Sequence, residues 1–345
     1  MKKLYTSIKY RDRNNAKIRR SENKLKRRRV NKTEKQHHWS LGCNELRSAI
    51  KAPKDLRLLE NSEECVRFFN YIRSVKNHSF IPPKYRFVLL DLSQVQEIDY
   101  ASISVLVAIY HLFKSQGIGY RGNFPNDKNC CEFFKQSGFL DFMKDENGKP
   151  FEKSETALHI RFESQDGKFS TEESKIISDV LRETNSHLSN SNTIIKPMKS
   201  ILIEMFGNSV EWSKSHNKMR LMGMYKVENK VIFTATDLGE GILKTIKRKF
   251  IHQIGDFFNS RKSPEILMRA FDQKYGSSTG EPNRAKGLPS IKYAFSTNKI
   301  ANLQVITNNV KLVFSDSKKS MELSDYFTGT LYIWEVTKEC LDSIK

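Results

Sequence analysis

Val231-Ile-Phe-Thr-Ala-Thr-Asp237-Leu-Gly239-Glu-Gly241-Ile242 opens as a β-branched and aromatic run and ends on a carboxylate followed by two glycines. The first half has the composition of a buried strand. A carboxylate at a strand end can accept a hydrogen bond from an exocyclic amine such as that of adenine. Glycines beyond it let the backbone approach a ligand closely. The same pattern alone also describes an ordinary strand-to-helix turn, so its meaning depends on its flanks.

Upstream lies Ile201-Leu-Ile-Glu204-Met-Phe-Gly-Asn208. On a helix Glu204 and Asn208 stack on one face, and the apolar residues around them are too many for a narrow stripe, as in a well-buried helix. A carboxylate beside an amide oxygen suits a hard cation such as Mg²⁺, or a water that must lose a proton. In isolation an ordinary helix face is the better explanation of the pair. Downstream, Gly276-Ser-Ser-Thr-Gly280 and Arg284-Ala-Lys286-Gly287-Leu288-Pro-Ser-Ile-Lys292 form a glycine-bearing loop leading into a helix. Free N–H groups and the helix dipole suit an anion there; a plain surface loop is the alternative.

In this order and spacing the three islands resemble the Bergerat-fold (GHKL, histidine-kinase-like) ATPases, which include DNA gyrase, the ninety-kilodalton chaperone, bacterial histidine kinases and mismatch-repair proteins. The resemblance implies an α/β sandwich over residues 151–345, a mixed sheet with helices on one face, holding ATP and Mg²⁺. It assigns Asn208 to Mg²⁺, Glu204 to the catalytic base and Asp237 to the adenine amine. Gly239, Gly241, Gly280, Lys286, Gly287 and Leu288 would line the nucleotide, and residues 243–286 would form a lid. Thr330, on a late strand, matches a Ser/Thr near adenine. Arg284, Lys286 or Lys292 would bring a cation to the γ-phosphate, ahead of Arg248 and Lys249. The sequence departs from the family at Ala285, where a glycine is usual, and at Trp212, where many relatives carry a polar residue. The first bears on phosphate geometry; neither removes the metal ligand or the base.

Residues 41–150 have a different rhythm. Strands are expected over 55–60 and 86–92, with a helix over Glu63–Lys76 between them. Ile98-Asp99-Tyr-Ala-Ser-Ile opens a helix carrying Val105, Leu106, Ile109, Leu112 and Phe113, and strand Gly117–Arg121 and helix Lys128–Gln136 follow. The succession resembles the STAS domain of anti-sigma-factor antagonists and anion transporters. In the antagonists a phosphorylatable serine stands two residues after the aspartate that matches Asp99. Here that residue is Ala101, and Ser102 takes the place of a usual glycine. The resemblance therefore implies docking, against the ATPase domain or a protein partner, rather than control at that serine.

Beyond a polar linker, Thr156–Phe162 alternates as an edge strand does, and Thr171–Leu188 is a helix broken at Asn190–Asn192. Leu221–Lys226 pairs with Val231–Thr236 around Glu228-Asn229. Leu303–Ile306 pairs with Lys311–Phe314 around Asn308-Asn309, and Gly329–Val336 is the last strand.

The chain carries a net charge of +20, and residues 1–36 hold 15 Lys/Arg against 3 Asp/Glu, or +12 of it. Such a stretch, part of a basic tail over 1–40, repels itself and suits an anionic partner: nucleic acid, an acidic protein or anionic lipid. A solubilising tail is the alternative, and a second copy of the chain, forming a homodimer, is a further candidate partner. No run of about eighteen apolar residues and no apolar leader is present, so a cytoplasmic protein is expected. Five cysteines without a C-x-x-C pair point to reduced thiols. His187 is followed by Leu-Ser, unlike the phospho-accepting histidine of a histidine kinase, and no nucleophile elbow occurs. The expected function is ATP-binding regulation, by an ATPase or ATP-driven switch, in a setting that fits bacterial regulation or defence. The alternatives are an anti-sigma-type serine/threonine kinase and a module that holds ATP without hydrolysing it.

Overall fold

The computed structural model describes residues 49–74, 87–163, 170–212, 219–248, 262–272 and 287–344, and of residues 163 and 207–212 the backbone alone. The basic tail lies outside the described residues.

The N-terminal layer begins with β1 (Ile50–Lys51), β2 (Asp55–Leu56) and α1 (Ser62–Ser74). It continues through β3 (Phe87–Asp91), β4 (Glu97–Ile98), α2 (Tyr100–Ser115), β5 (Gly119–Gly122) and α3 (Lys128–Gln136). Parallel pairing gives the orders β1-β3-β5 and β2-β4. α2 is apolar nearly all round, and from Tyr100 to Ile109 every side chain is buried, as in a helix enclosed by its surroundings. Asp99 caps it, accepting from the Ser102 N–H at 2.7 Å and from the Leu59 N–H at 2.9 Å.

The second layer is one five-stranded sheet, ordered β6-β7-β8-β10-β9. Its strands are β6 (Ala157–Glu163), β7 (Met219–Val227), β8 (Lys230–Asp237), β9 (Ala301–Val313) and β10 (Met321–Thr337). α4 (Thr171–Ser189) and α5 (Lys196–Trp212) join β6 to β7. A helical stretch over 242–248, then α6 (Ser263–Phe271) and α7 (Gly287–Ser296), lies between β8 and β9, and α8 (Lys338–Asp342) ends the chain. β7 and β8 form a hairpin whose two-residue turn is Glu228-Asn229. α4 begins with a capping box, in which the Ser170 hydroxyl accepts from the Glu173 N–H and the Glu173 carboxylate accepts from the Ser170 N–H. It ends on Asn190 at φ 55°.

The expectation of a mixed sheet is corrected, whereas the helices of residues 151–345 do stand on one face of it, the other being covered by the N-terminal layer. Every pairing in this sheet is antiparallel among the described residues. A pair of helices, α4 and α5, returns the chain to the sheet end that it left, so β7 re-enters antiparallel to β6. Both faces are thus covered. Phe162, Met222, Met224, Phe233, Tyr332 and Trp334 face α4–α7 in one core. The alternate residues Leu221, Ile306, Leu331 and Ile333 share the other core with α1 and α2, as the two-residue period of a strand requires.

β9 folds back on itself. The Phe314 N–H donates to the Leu303 carbonyl at 3.1 Å, whereas a straight strand would separate the two by about 36 Å. The reversal falls at Asn308, with φ 52°, so the expected turn at Asn308-Asn309 is present inside β9.

The N-terminal layer docks on the rear of the sheet. The Tyr100 hydroxyl donates to the Met224 carbonyl at 3.0 Å, and the Ser104 and Thr234 hydroxyls lie 2.8 Å apart. Gly223 permits this approach: a Cβ there would lie 2.4 Å from Thr234 Oγ1 and 2.9 Å from Tyr100 Oη. α1 runs beside β10, where Glu63 accepts from the Ser324 N–H at 3.0 Å, Arg67 meets Asp325 at 3.2 Å and Asn70 donates to the Tyr326 carbonyl at 2.8 Å. Lys311, from β9, donates to the Leu59 carbonyl.

Candidate functional site

The front face of the sheet, under α4–α7, ends in a polar row. Register places Phe162 opposite Arg220, Arg220 opposite Asp237, Asp237 opposite Thr330, and Thr330 opposite Thr307. Each has the parity of its strand's front-facing residues. Four adjacent polar side chains at one sheet end, continuing a face otherwise apolar, mark a candidate site.

Asp237 sits at the C-terminal end of β8. Its carboxylate accepts from the Gly239 N–H at 2.8 Å. Burial pushes its pKa up to about 6, against the Gly239 N–H, the Thr330 hydroxyl and the Arg73 charge, which favour the ionised form. Thr330 is beside Asp237. The next turn is clamped by β9: the Ile242 N–H donates to Thr307 Oγ1 at 2.9 Å, the Lys244 N–H to Asn308 Oδ1 at 3.0 Å, and Asn308 Nδ2 to the Glu240 carbonyl at 2.8 Å. Gly241 has φ +83°, and a Cβ there would come within 2.5 Å of the Asn308 amide. Here glycine is required both by conformation and by space.

Glu204 and Asn208 are one turn apart on α5. Glu204 is half-buried, and nothing of the Asn208 side chain is described. Gly287 and Leu288 are the first two residues of α7, which packs against α5, so the first and third islands are neighbours. Gly280, Lys286, Arg284, Ala285 and Lys249 lie outside the described residues, as does most of the expected lid. Two of the candidate phosphate cations are already engaged, Lys292 by Asp272 and Arg248 by Glu240.

The buried Tyr332 hydroxyl, on the same face as Asp237, makes no hydrogen bond among the described residues. A ligand bringing its own donors and acceptors would satisfy it. No cluster of three metal-ligating His, Cys, Asp or Glu side chains occurs among the described residues. A Glu and an Asn a turn apart would leave a cation such as Mg²⁺ to complete its shell with water and phosphate.

Sequence reasoning missed Arg220, Thr307, Asn308 and Arg73. Arg220 was within reach: with a two-residue turn at Glu228-Asn229, hairpin register alone sets residue 220 opposite residue 237. It is almost wholly buried, with Nη2 3.8 Å from Glu173 and Nη1 3.4 Å from the Phe206 carbonyl on α5. Burial lowers its pKa against the charge of Glu173.

The rear layer contains no accessible acceptor at the position of the antagonists' serine. Ala101 and Ser102 are fully buried. The Ser102 hydroxyl donates to the Leu56 carbonyl at 2.5 Å and accepts from the Leu58 N–H at 3.1 Å. Ser104 is equally buried, on the sheet face opposite Asp237. Among the described residues no helix is long and apolar enough to cross a membrane.

Comparison with known proteins bears on the rear layer. The family model of the STAS domain matches residues 20–121, a span that ends within β5. No curated protein and no solved structure matches the chain. The chain therefore carries a STAS domain in its N-terminal part, within a mixed α/β structure, and this is consistent with a regulatory role.

Proposed function

We propose that the antiparallel sheet and its front helices bind ATP with Mg²⁺, and that the protein is an ATP-driven regulatory switch, an ATPase whose state is read through the STAS layer. The observation that carries this reading is the Arg220–Asp237–Thr330–Thr307 row, placed beside a glycine turn of required geometry and under the helix that bears Glu204 and Asn208. Asp237, ionised, accepts from the adenine amine, and Thr330 orients its carboxylate. Glu204 takes the proton from an attacking water, and Asn208 supplies an amide oxygen to the metal. Bound Mg²⁺ would neutralise charge developing on the phosphates.

Transfer of phosphate to the chain's own STAS layer is disfavoured. The hydroxyls next to the antagonists' acceptor position, Ser102 and Ser104, are buried behind the sheet, and a hydroxyl must reach the γ-phosphate in line to be phosphorylated. We further propose that residues 1–36 engage an anionic macromolecule, nucleic acid first. The test is ATP binding and turnover by the full chain and by Glu204→Ala. Turnover in the wild type that collapses in the variant while ATP binding survives supports the ATPase. Absence of turnover in both, with binding retained, leaves a nucleotide-held interaction module.

A further inference from the structure

Asp237 is held from the rear layer as well as from within its own sheet. α1 ends close to Arg73, whose Nη1 donates to the Thr328 carbonyl at 2.7 Å and whose Nη2 reaches the Leu238 carbonyl at 3.5 Å. These carbonyls flank the front-face carboxylate. Leu238 follows Asp237 in the chain and packs its side chain on the rear core. Thr328 lies two residues before Thr330, which pairs with Asp237. Between them Gly329 brings β10 against the β8 backbone: at φ +133°, a Cβ there would overlap the Asp237 carbonyl at 2.1 Å. A guanidinium from another layer thus ties together the two backbone segments that aim Asp237.

Other groups also face this carboxylate. Thr330 and the Gly239 N–H bond to it, and the Tyr332 hydroxyl on β10 feels its charge. Arg220, opposite on β7, is directed at Glu173 and at the Phe206 carbonyl. Among the described groups acting on the Asp237 carboxylate, Arg73 supplies the positive charge.

We propose that Arg73 is a positioning residue for the nucleotide site: it fixes the turn after Asp237 and holds its carboxylate as a pure acceptor, so the site selects a purine with a 6-amino group. This inference rests on the nucleotide reading above. An ionised carboxylate only accepts, matching adenine; a protonated one carries an O–H donor and can meet the 6-oxo group of hypoxanthine. Loss of the Arg73 charge favours the protonated form, since an opposite charge nearby stabilises the ionised one.

The experiment uses the full chain and its Arg73→Gln and Arg73→Lys variants, titrated with ATP and with ITP from pH 5.5 to 8. In Arg73→Gln the pH below which ATP affinity is lost moves up. ATP over ITP discrimination at neutral pH falls several-fold, and Arg73→Lys restores most of it. Equal weakening of both nucleotides at every pH, with lysine no better than glutamine, would show a merely structural role and overturn the proposal. A second measurement needs no nucleotide. Carboxyl-carbon NMR, with the Asp237 signal assigned by its loss in Asp237→Asn, should show that carboxyl titrating higher in Arg73→Gln; an unmoved midpoint also overturns the proposal. Failure of the wild type to bind ATP would instead overturn the nucleotide reading, and the specificity role with it.

Discussion

The two faces of the antiparallel sheet are built from alternate residues of the same strands, yet they end differently. On the rear, Leu221, Leu331 and Ile333 meet α1 and α2, and Ser104 and Thr234 meet each other. That face is a seal. On the front, Phe233, Tyr332 and Trp334 are equally buried, but the same strands finish in Arg220, Asp237, Thr330 and Thr307. Burial there raises the Asp237 pKa to about 6, an energetic cost that a purely structural sheet end has no reason to bear. The shifted carboxylate, set in a polar row at the sheet end, makes this end the candidate site.

The sharpest way to break this contrast is in the rear seam. Leu331 is fully buried there, and Leu331→Ala should destabilise the protein by about 2–5 kcal/mol, the usual result of emptying such a site. Denaturant unfolding followed at both layers should show them losing structure together. Separate transitions would mean that the rear face is a loose contact and no seal.

The front face should respond in the opposite sense. The folded protein holds the Asp237 proton more tightly than the unfolded chain, because its pKa is raised above the ordinary 3.8 to about 6. The cost of its charge is thus absent below about pH 4, grows as pH rises, and is complete above about 6. Asp237→Asn should therefore stabilise the nucleotide-free protein by about 1–3 kcal/mol at neutral pH and by almost nothing at pH 4. Thermal melts at the two pH values check this. A variant destabilised at neutral pH would make Asp237 a structural residue like those behind it.

Smaller effects sharpen the comparison. Gly241→Ala strains a residue at φ +83° and pushes on the Asn308 clamp, so a loss of about 1–2 kcal/mol is expected. ATP affinity should fall further than stability, as paired binding and denaturation curves would reveal. Ser104→Ala leaves the Thr234 hydroxyl buried without its partner, and should cost about 1 kcal/mol in the same denaturation assay. ATP affinity should be unchanged, because the pair lies on the sealed face.

Local patterns were legible where chemistry and conformation are written in neighbouring residues. α3 at Lys128–Gln136 matches its expected bounds. The turn at Glu228-Asn229 and the reversal at Asn308 stand where Asn-bearing breaks interrupt apolar runs. The strand over 55–60 shrank to Asp55–Leu56, because Asp55 pairs with Arg57 and draws the backbone into a turn. The candidate site was half-legible. Asp237, Gly241 and Thr330 could be named because a carboxylate, a turn glycine and a late-strand threonine are local signs. Arg73 and Asn308 could not, because each acts on a segment far along the chain and its role exists only once the layers are packed. The antiparallel sheet was missed for a related reason: strand direction depends on how many helices carry the chain back, not on strand composition.

The most direct measurement is calorimetric titration of ATP, in the presence of Mg²⁺, into the full chain and its Asp237→Asn variant. The front-face site predicts saturable binding to the wild type and affinity weaker by about 10–100-fold in the variant, the worth of one hydrogen bond to a charged group. Equal affinity in the two proteins, or no binding to either, would contradict a nucleotide site at this end of the sheet.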